Sequence, residues 1–238
     1  MAVVRRFSDF YPVNIRERST GAQDLGGMQF VHLLYDGVPI LLQTGPLRTV
    51  SGVQKDDKFG KHTMSLVVNP ESIEFKKLQE LDEQVLDLAT KSTWLKTKCP
   101  VKDEAVIKEL YTPALRIPAA GKKPTIRVTI PEKDLEVVNS DSKMIPTDRF
   151  LRSGMSKDAK LTVILRCTGI WIRGSKFGTS WKAVRILVHP LNQKPMFKFL
   201  TPSPPKEDDR PSPPTEFWTD MDNEAAGTNF RTVDFGGN

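Results

Sequence analysis

Apolar residues recur at every second position through much of residues 28–190, which is the period of a half-buried strand. The run "MQFVHLLYDGVPILLQTGPL" (Met28–Leu47) places two apolar stretches around Asp36-Gly37. That dipeptide accepts the positive φ angles of a tight hairpin turn. Leu47–Val53 predicts a third strand and "HTMSLVV" a fourth, with the polar loop "QKDDKFGK" between them. From Tyr111 the alternation returns in "LYTPALRIP" and "PTIRVTIPEKDLEVV", separated by a basic loop that holds Lys122 and Lys123. Residues 140–159 are turn-rich, and Leu161–Ile172 and Ser180–His189 predict two longer strands. Gly169 inside the first of these marks a bend, because glycine in a strand often sits at a bulge or barrel corner.

The period changes to 3.6 in one long stretch. Leu78, Leu81, Val85 and Leu88 predict a helix reaching about Lys91. Asn69 is the expected cap, with Pro70 at the first helical position and Glu71 complementing the dipole. A shorter helix is expected over Lys102–Leu110. Residues 1–27 show little periodicity and predict a partly ordered N-terminal arm. After Leu200 the chain becomes "TPSPPKEDDRPSPP", a proline-rich, charged and extended linker. An acidic tail with interspersed aromatics follows. The layout is mainly β with an inserted helix: an arm (1–27), a small barrel or half-barrel (28–200) and a disordered tail (201–238).

Composition adds two constraints. A 38% hydrophobic fraction over 238 residues supports a real core, and no run of about 18 apolar residues predicts a membrane span. No apolar stretch follows the basic N-terminus, and Cys99 and Cys167 form no CxxC pair. These features suit an intracellular, reduced protein. The net charge of +6 is unevenly spread. Residues 201–238 hold three basic and eight acidic side chains, net −5, which leaves 32 basic and 21 acidic, net +11, in residues 1–200. A basic body with an acidic tail suggests a polyanion partner, or a soluble domain with a solubilising tail.

Catalytic chemistry is missing from the pattern. His32, His62 and His189 are far apart and lack metal-ligand spacing. Gly169, Gly174 and Gly178 do not make a dinucleotide or phosphate-binding loop, and no G-x-S-x-G elbow occurs. No cofactor, metal or enzymatic activity is expected.

The segment "LRCTGIWIRGSKFGTSWKAVRILVHP" (Leu165–Pro190) carries five basic residues and no acidic one. Arg166, Arg173, Lys176, Lys182 and Arg185 accompany Trp171, Phe177 and Trp181. Simple alternation puts Trp171 and Arg173 on one face with Leu165 and Cys167. It likewise puts Trp181, Ala183 and Arg185 together. Single-stranded nucleic acid calls for this combination: cations for phosphates and flat apolar platforms for bases. The alternative is that the tryptophans are core and the cations protect a sheet edge. Arg116, Lys122, Lys123 and Arg127 form a second basic cluster. Trp94, near Lys96 and Lys98, is a third candidate platform, or a residue closing the core beside the helix end.

"PILLQTGPLRTVSG", "LYTPALRIP" and "KLTVILRCTGIWIRGSKFGTSWKAVRILV" together resemble the single-stranded DNA-binding proteins of nucleocytoplasmic large DNA viruses. That group is similar to the phage T7 single-stranded DNA-binding protein. The resemblance implies an OB-fold barrel that coats single-stranded DNA during viral replication, recombination or repair, at replication sites in the infected cell. It also implies a tail that contacts replication proteins, here through Trp218, Asp220, Asp222, Phe230, Asp234 and Phe235. The chain departs from the pattern by continuing with Gly-Gly-Asn after Phe235. A homodimer is compatible with the sequence. The competing readings are a protein that packages duplex DNA by charge, and an enzyme or its accessory.

Overall fold

A computed structural model describes residues 3–24, 27–56, 60–96, 103–118 and 122–190. The chain divides into two units, Met1–Gln193 and Lys194–Asn238, and every described residue belongs to the first. In chain order the elements are β1 (Val4–Arg6), β2 (Ile15–Asp24), β3 (Gln29–Tyr35), β4 (Val38–Gln43), β5 (Leu47–Lys55) and β6 (His62–Val67). Three helices follow: α1 (Ile73–Lys91), α2 (Thr93–Lys96) and α3 (Glu104–Leu110). Then come β7 (Tyr111–Thr112), β8 (Leu115–Arg116), β9 (Thr125–Ile130), β10 (Glu136–Asn139), α4 (Thr147–Arg152), β11 (Lys160–Arg173) and β12 (Lys176–Val188).

Five strands close on themselves. β5 pairs antiparallel with β6, β6 with β9, β12 with β11, and β11 with β5, while β9 and β12 pair in parallel. This ring is the five-stranded barrel of an OB-fold, mainly β with a helix inserted between its second and third strands. The hairpin of β11 and β12 is the spine. Along its outer edge the 14-residue β11 pairs in turn with β5, β4 and β3, and β12 pairs with β7, β9 and β10. The barrel interior holds Met64, Leu66, Ile126, Val128, Val163, Leu165, Ala183 and Ile186, each no more than 1% exposed.

The Asp36-Gly37 turn joins β3 to β4, with φ of 49° and 78°. These angles suit a two-residue turn that matches strand twist. The long helix starts three residues later than its sequence suggests. Ser72 is the cap, accepting from the Phe75 amide at 3.3 Å, while Asn69 Oδ1 accepts from the Glu71 amide and closes a turn of its own. Asparagine before proline competes for exactly such local turns, so its capping capacity is spent before the helix begins. Leu78, Leu81, Val85 and Ala89 make the buried stripe of α1.

Residues 3–24 are not an arm. β1 pairs with β4, β2 pairs with β3, and Phe7, Phe10 and Ile15 are at most 2% exposed. Phe10 packs on Tyr35 with ring centres 5.2 Å apart. The anchors sit at short turns where no strand or helix period can develop, which hid them in the sequence.

Candidate nucleic-acid interface

Alternation along β11 is broken by a bulge. Leu161, Val163, Leu165 and Cys167 point inward, but the register shifts between Cys167 and Gly169 and the inward set becomes Ile170 and Ile172. Trp171 and Arg173 are therefore on the opposite face from Leu165 and Cys167, contrary to simple alternation. Glycine is required at the switch. Gly169 has φ of 136°, and a Cβ there would lie 2.2 Å from the Val31 carbonyl oxygen. A second shift, on β12 opposite Ile164 and Leu165, turns Arg185 outward although Trp181 and Ala183 are buried.

The bulge delivers Trp171, half-buried, to the wall of a groove of 590 Å³. Its cross-strand partner is Gly178, and a Cβ on that glycine would meet the indole at 3.0 Å and the Thr112 carbonyl oxygen at 2.5 Å. Glycine thus lets the ring lie against the strand. Trp181 also lines the groove but is 3% exposed, and its Nε1 donates to Thr179 Oγ1 at 3.2 Å. It is part of the wall and core more than an open platform.

Cations converge on this groove from four directions. Arg173 comes from the β11–β12 hairpin, Lys61 from the β5–β6 connection, Arg116 from β8 and Arg127 from β9. Asp56 is the carboxylate at the rim, 3.9 Å from the Arg127 guanidinium, which also donates to Thr63 Oγ1 at 3.2 Å. Partial burial, then the nearby positive charge of Arg127, lowers the pKa of Arg116 from its ordinary value. Two like-charge pairs sit directly opposite each other on the hairpin, Arg173 with Lys176 and Arg166 with Lys182. Such pairs are destabilising when no counter-charge is bound.

The remaining sequence candidates separate. Phe177 is fully buried, packed tilted on Tyr111 at 5.2 Å and edge-on to Trp94 at 5.9 Å. Trp94 is 6% exposed and donates to Glu17 Oε1 at 2.7 Å. Neither ring offers a base a face, and both belong to the core where α2 meets the barrel. Lys176 is exposed beside Arg173 at the hairpin tip. Lys182 is half-buried and registers with Thr129, a groove residue. Arg166 lines a smaller hollow with Arg18 and His32, and Arg185 pairs with Glu136 at 3.4 Å. Lys122 and Lys123 do not join Arg116 and Arg127. They line a separate pocket at the other end of β9. Trp218, Asp220, Asp222, Phe230, Asp234 and Phe235 lie outside the described residues.

Sequence reasoning missed Lys61, Thr63 and Thr129. Their signal was faint: a charged loop, and threonines at the outward positions of β6 and β9.

One buried carboxylate positions an edge of the groove. Asp82 on α1 accepts from Tyr111 Oη at 2.5 Å, from the Ala114 amide at 3.0 Å and from the Leu115 amide at 3.4 Å. It thereby holds the corner between β7 and β8, next to Arg116. Burial outweighs these donors and pushes its pKa up to about 6. Burial first, and then the Asp82 charge, holds the Tyr111 phenol well above its usual range. Among the described residues no cluster of His, Cys, Asp and Glu is placed to hold a metal, and no helix is long and apolar enough to cross a membrane.

No protein-family model and no curated protein matches the sequence. Among solved structures the chain is similar to the single-stranded DNA-binding protein from bacteriophage Enc34. A C-terminal truncation of that protein superposes with a TM-score of 0.44 at 8% identity, over 72% of this chain and 96% of that one. Its complex with single-stranded DNA gives 0.42 at 10% identity, over 70% and 92%. A third structure of it gives 0.42 at 9%, over 74% and 94%.

Proposed function

We propose that this chain is a non-catalytic, non-sequence-specific single-stranded DNA-binding protein. It would coat exposed strands during viral DNA replication, recombination or repair inside the infected cell, as proteins of the nucleocytoplasmic large DNA viruses do. The acidic tail is then the segment that would recruit replication proteins.

One observation carries this reading: the groove of Trp171 and its surrounding cations falls on the binding face of the barrel. In OB-folds that face is built from the second and third strands and the loops joining strands one to two and four to five. Here those are β6, β9, the 56–61 connection and the β11–β12 hairpin, and every one contributes to the groove. A strand passing through it would lay a base on the exposed part of Trp171 and its phosphates among Lys61, Arg116, Arg127 and Arg173. The phosphates would also neutralise the opposed pair of Arg173 and Lys176. Threonines, not base-reading amides, line the floor, which suits binding without sequence preference.

The test is competition between single-stranded DNA, duplex DNA and single-stranded RNA at several salt concentrations, with tryptophan fluorescence as readout. Oligo(dT) should quench the emission and outcompete the duplex. Trp171→Ala should weaken binding by about 1–3 kcal/mol, about 5- to 150-fold. Equal affinity for duplex and single strand without quenching would replace this reading with charge-driven packaging. A folded Trp171→Ala variant that binds as tightly as the parent would remove the platform.

A further inference from the structure

A second cationic pocket of 710 Å³ lies at the other end of the β5–β6–β9 wall. Arg48 enters it from the start of β5, and Lys122 and Lys123 from the segment before β9. All three are exposed, and none has an ion-pair partner among the described residues. The Val68 amide donates to the Pro124 carbonyl at 2.9 Å, which fixes the lysine pair beside the end of β6. Asp158 is the acidic residue on the rim, so the lining carries a net +2.

The two pockets are joined by the outer face of β6 and β9. Its cross-strand pairs are Thr63 with Thr129, Ser65 with Arg127, and Val67 with Thr125, and Val67 registers in turn with Arg48. None of these positions is acidic, and all are at least partly exposed. Four residues of strand separate Thr129 from Thr125, a path of about 13 Å. A stacked strand places a phosphate about every 3.4 Å, so four or fewer nucleotides cover that gap. A track whose cross-strand positions hold no carboxylate and one cation, Arg127, between two cationic pockets suits one continuous polyanion better than two separate ligands.

We infer that single-stranded DNA leaving the Trp171 groove continues along the β6–β9 face into the Arg48–Lys122–Lys123 pocket. This rests on the single-stranded DNA reading above and extends it to a second contact zone that holds phosphates without stacking bases. Occupancy of the far pocket therefore depends on the length of the strand.

The experiment compares oligo(dT) of about 5 and about 15 nucleotides, lengths within the range one OB-fold covers. The proteins are the full chain and its Arg48→Gln/Lys122→Gln/Lys123→Gln variant. Three phosphate contacts at about −0.7 each change the slope of log affinity against log salt by about 2. At about 0.1 M salt that is about 100-fold in affinity for the longer oligonucleotide. The shorter one should bind both proteins within about twofold and quench Trp171 equally. For the parent alone, the salt slope should steepen by about 2 between the two lengths, which tests the idea without any variant. An identical slope for both lengths in the parent, or equal losses for both in the variant, would overturn the second contact zone while leaving the groove standing. Failure of the parent to bind either oligonucleotide would overturn the proposed function and this extension together.

Discussion

Replacing Asp82 by asparagine should remove a pH dependence of stability that one buried carboxyl imposes. Asp82 has a pKa of about 6 in the folded protein, against an ordinary value of 3.8. Burial is the largest cause, and the hydrogen bonds from Tyr111, Ala114 and Leu115 offset it only in part. In the unfolded chain the carboxyl is hydrated and releases its proton near pH 4. Between about pH 4 and pH 6 the native state therefore holds a proton that the unfolded state has lost. Stability from this group is fully present below about pH 4 and is lost as pH rises through about 6. The gap of about 2 pH units, at 1.36 kcal/mol each, corresponds to about 3 kcal/mol. Asparagine keeps an acceptor for Tyr111 and Ala114 and does not titrate. Urea unfolding of both proteins at steps from pH 4 to pH 7 should show the parent losing about 3 kcal/mol relative to Asp82→Asn. Taking the difference cancels the other carboxylates. A constant difference across that range would mean that Asp82 is hydrated, and that the β7–β8 corner is held by something else.

Gly169→Ala should destabilise the fold by more than about 3 kcal/mol, because it adds a left-handed strain to a Cβ placed 2.2 Å from the Val31 carbonyl. Thermal unfolding checks this, and an unchanged midpoint would mean that the bulge is dispensable. Cys167 is buried, and burial pushes its thiol up to about 12. In a Cys99→Ser variant at pH 8 an aromatic disulfide reagent should label it only after denaturant is added, and rapid labelling of the native protein would refute its burial.

The barrel was legible because its evidence is local. Turn chemistry at Asp36-Gly37 marked the first hairpin, and alternation marked β3 to β6, β9, β11 and β12. The N-terminal strands were not legible. Phe7 and Phe10 anchor turns, and β2 earns its place only by pairing with β3, a contact that no short window of sequence contains. The candidate groove was legible in composition and not in geometry. Arg116 and Arg127 reached the groove, yet Lys122 and Lys123, five residues or fewer from Arg127, lie in another pocket. A strand advances about 3.3 Å per residue, so a few positions along β9 carry a side chain from one end of the barrel to the other. Phe177 misled for a related reason. Its neighbour Lys176 is basic and exposed, but its own side of β12 faces Tyr111 and Trp94.

Phase decides which aromatic ring meets solvent, and phase is what glycine controls here. An unbroken β11 would send Trp171 and Arg173 to the side of Leu165 and Cys167, burying a guanidinium without a partner, which is costly. The bulge at Gly169 avoids that arrangement and places both residues on the open face, while Ile170 and Ile172 fill the interior. Gly178 then leaves room for the indole. Trp181 on the return strand meets no such switch before Ala183 and stays in the wall. Two tryptophans that look equivalent in composition thus differ in exposure because one follows a bulge and the other precedes one. The same logic accounts for the opposed cations at the hairpin tip. Arg173 and Lys176 repel each other across the turn, a local cost that no ion pair to either side chain relieves among the described residues. A phosphate between them would remove the repulsion, so a bound polyanion would stabilise the hairpin tip beyond what the fold alone provides.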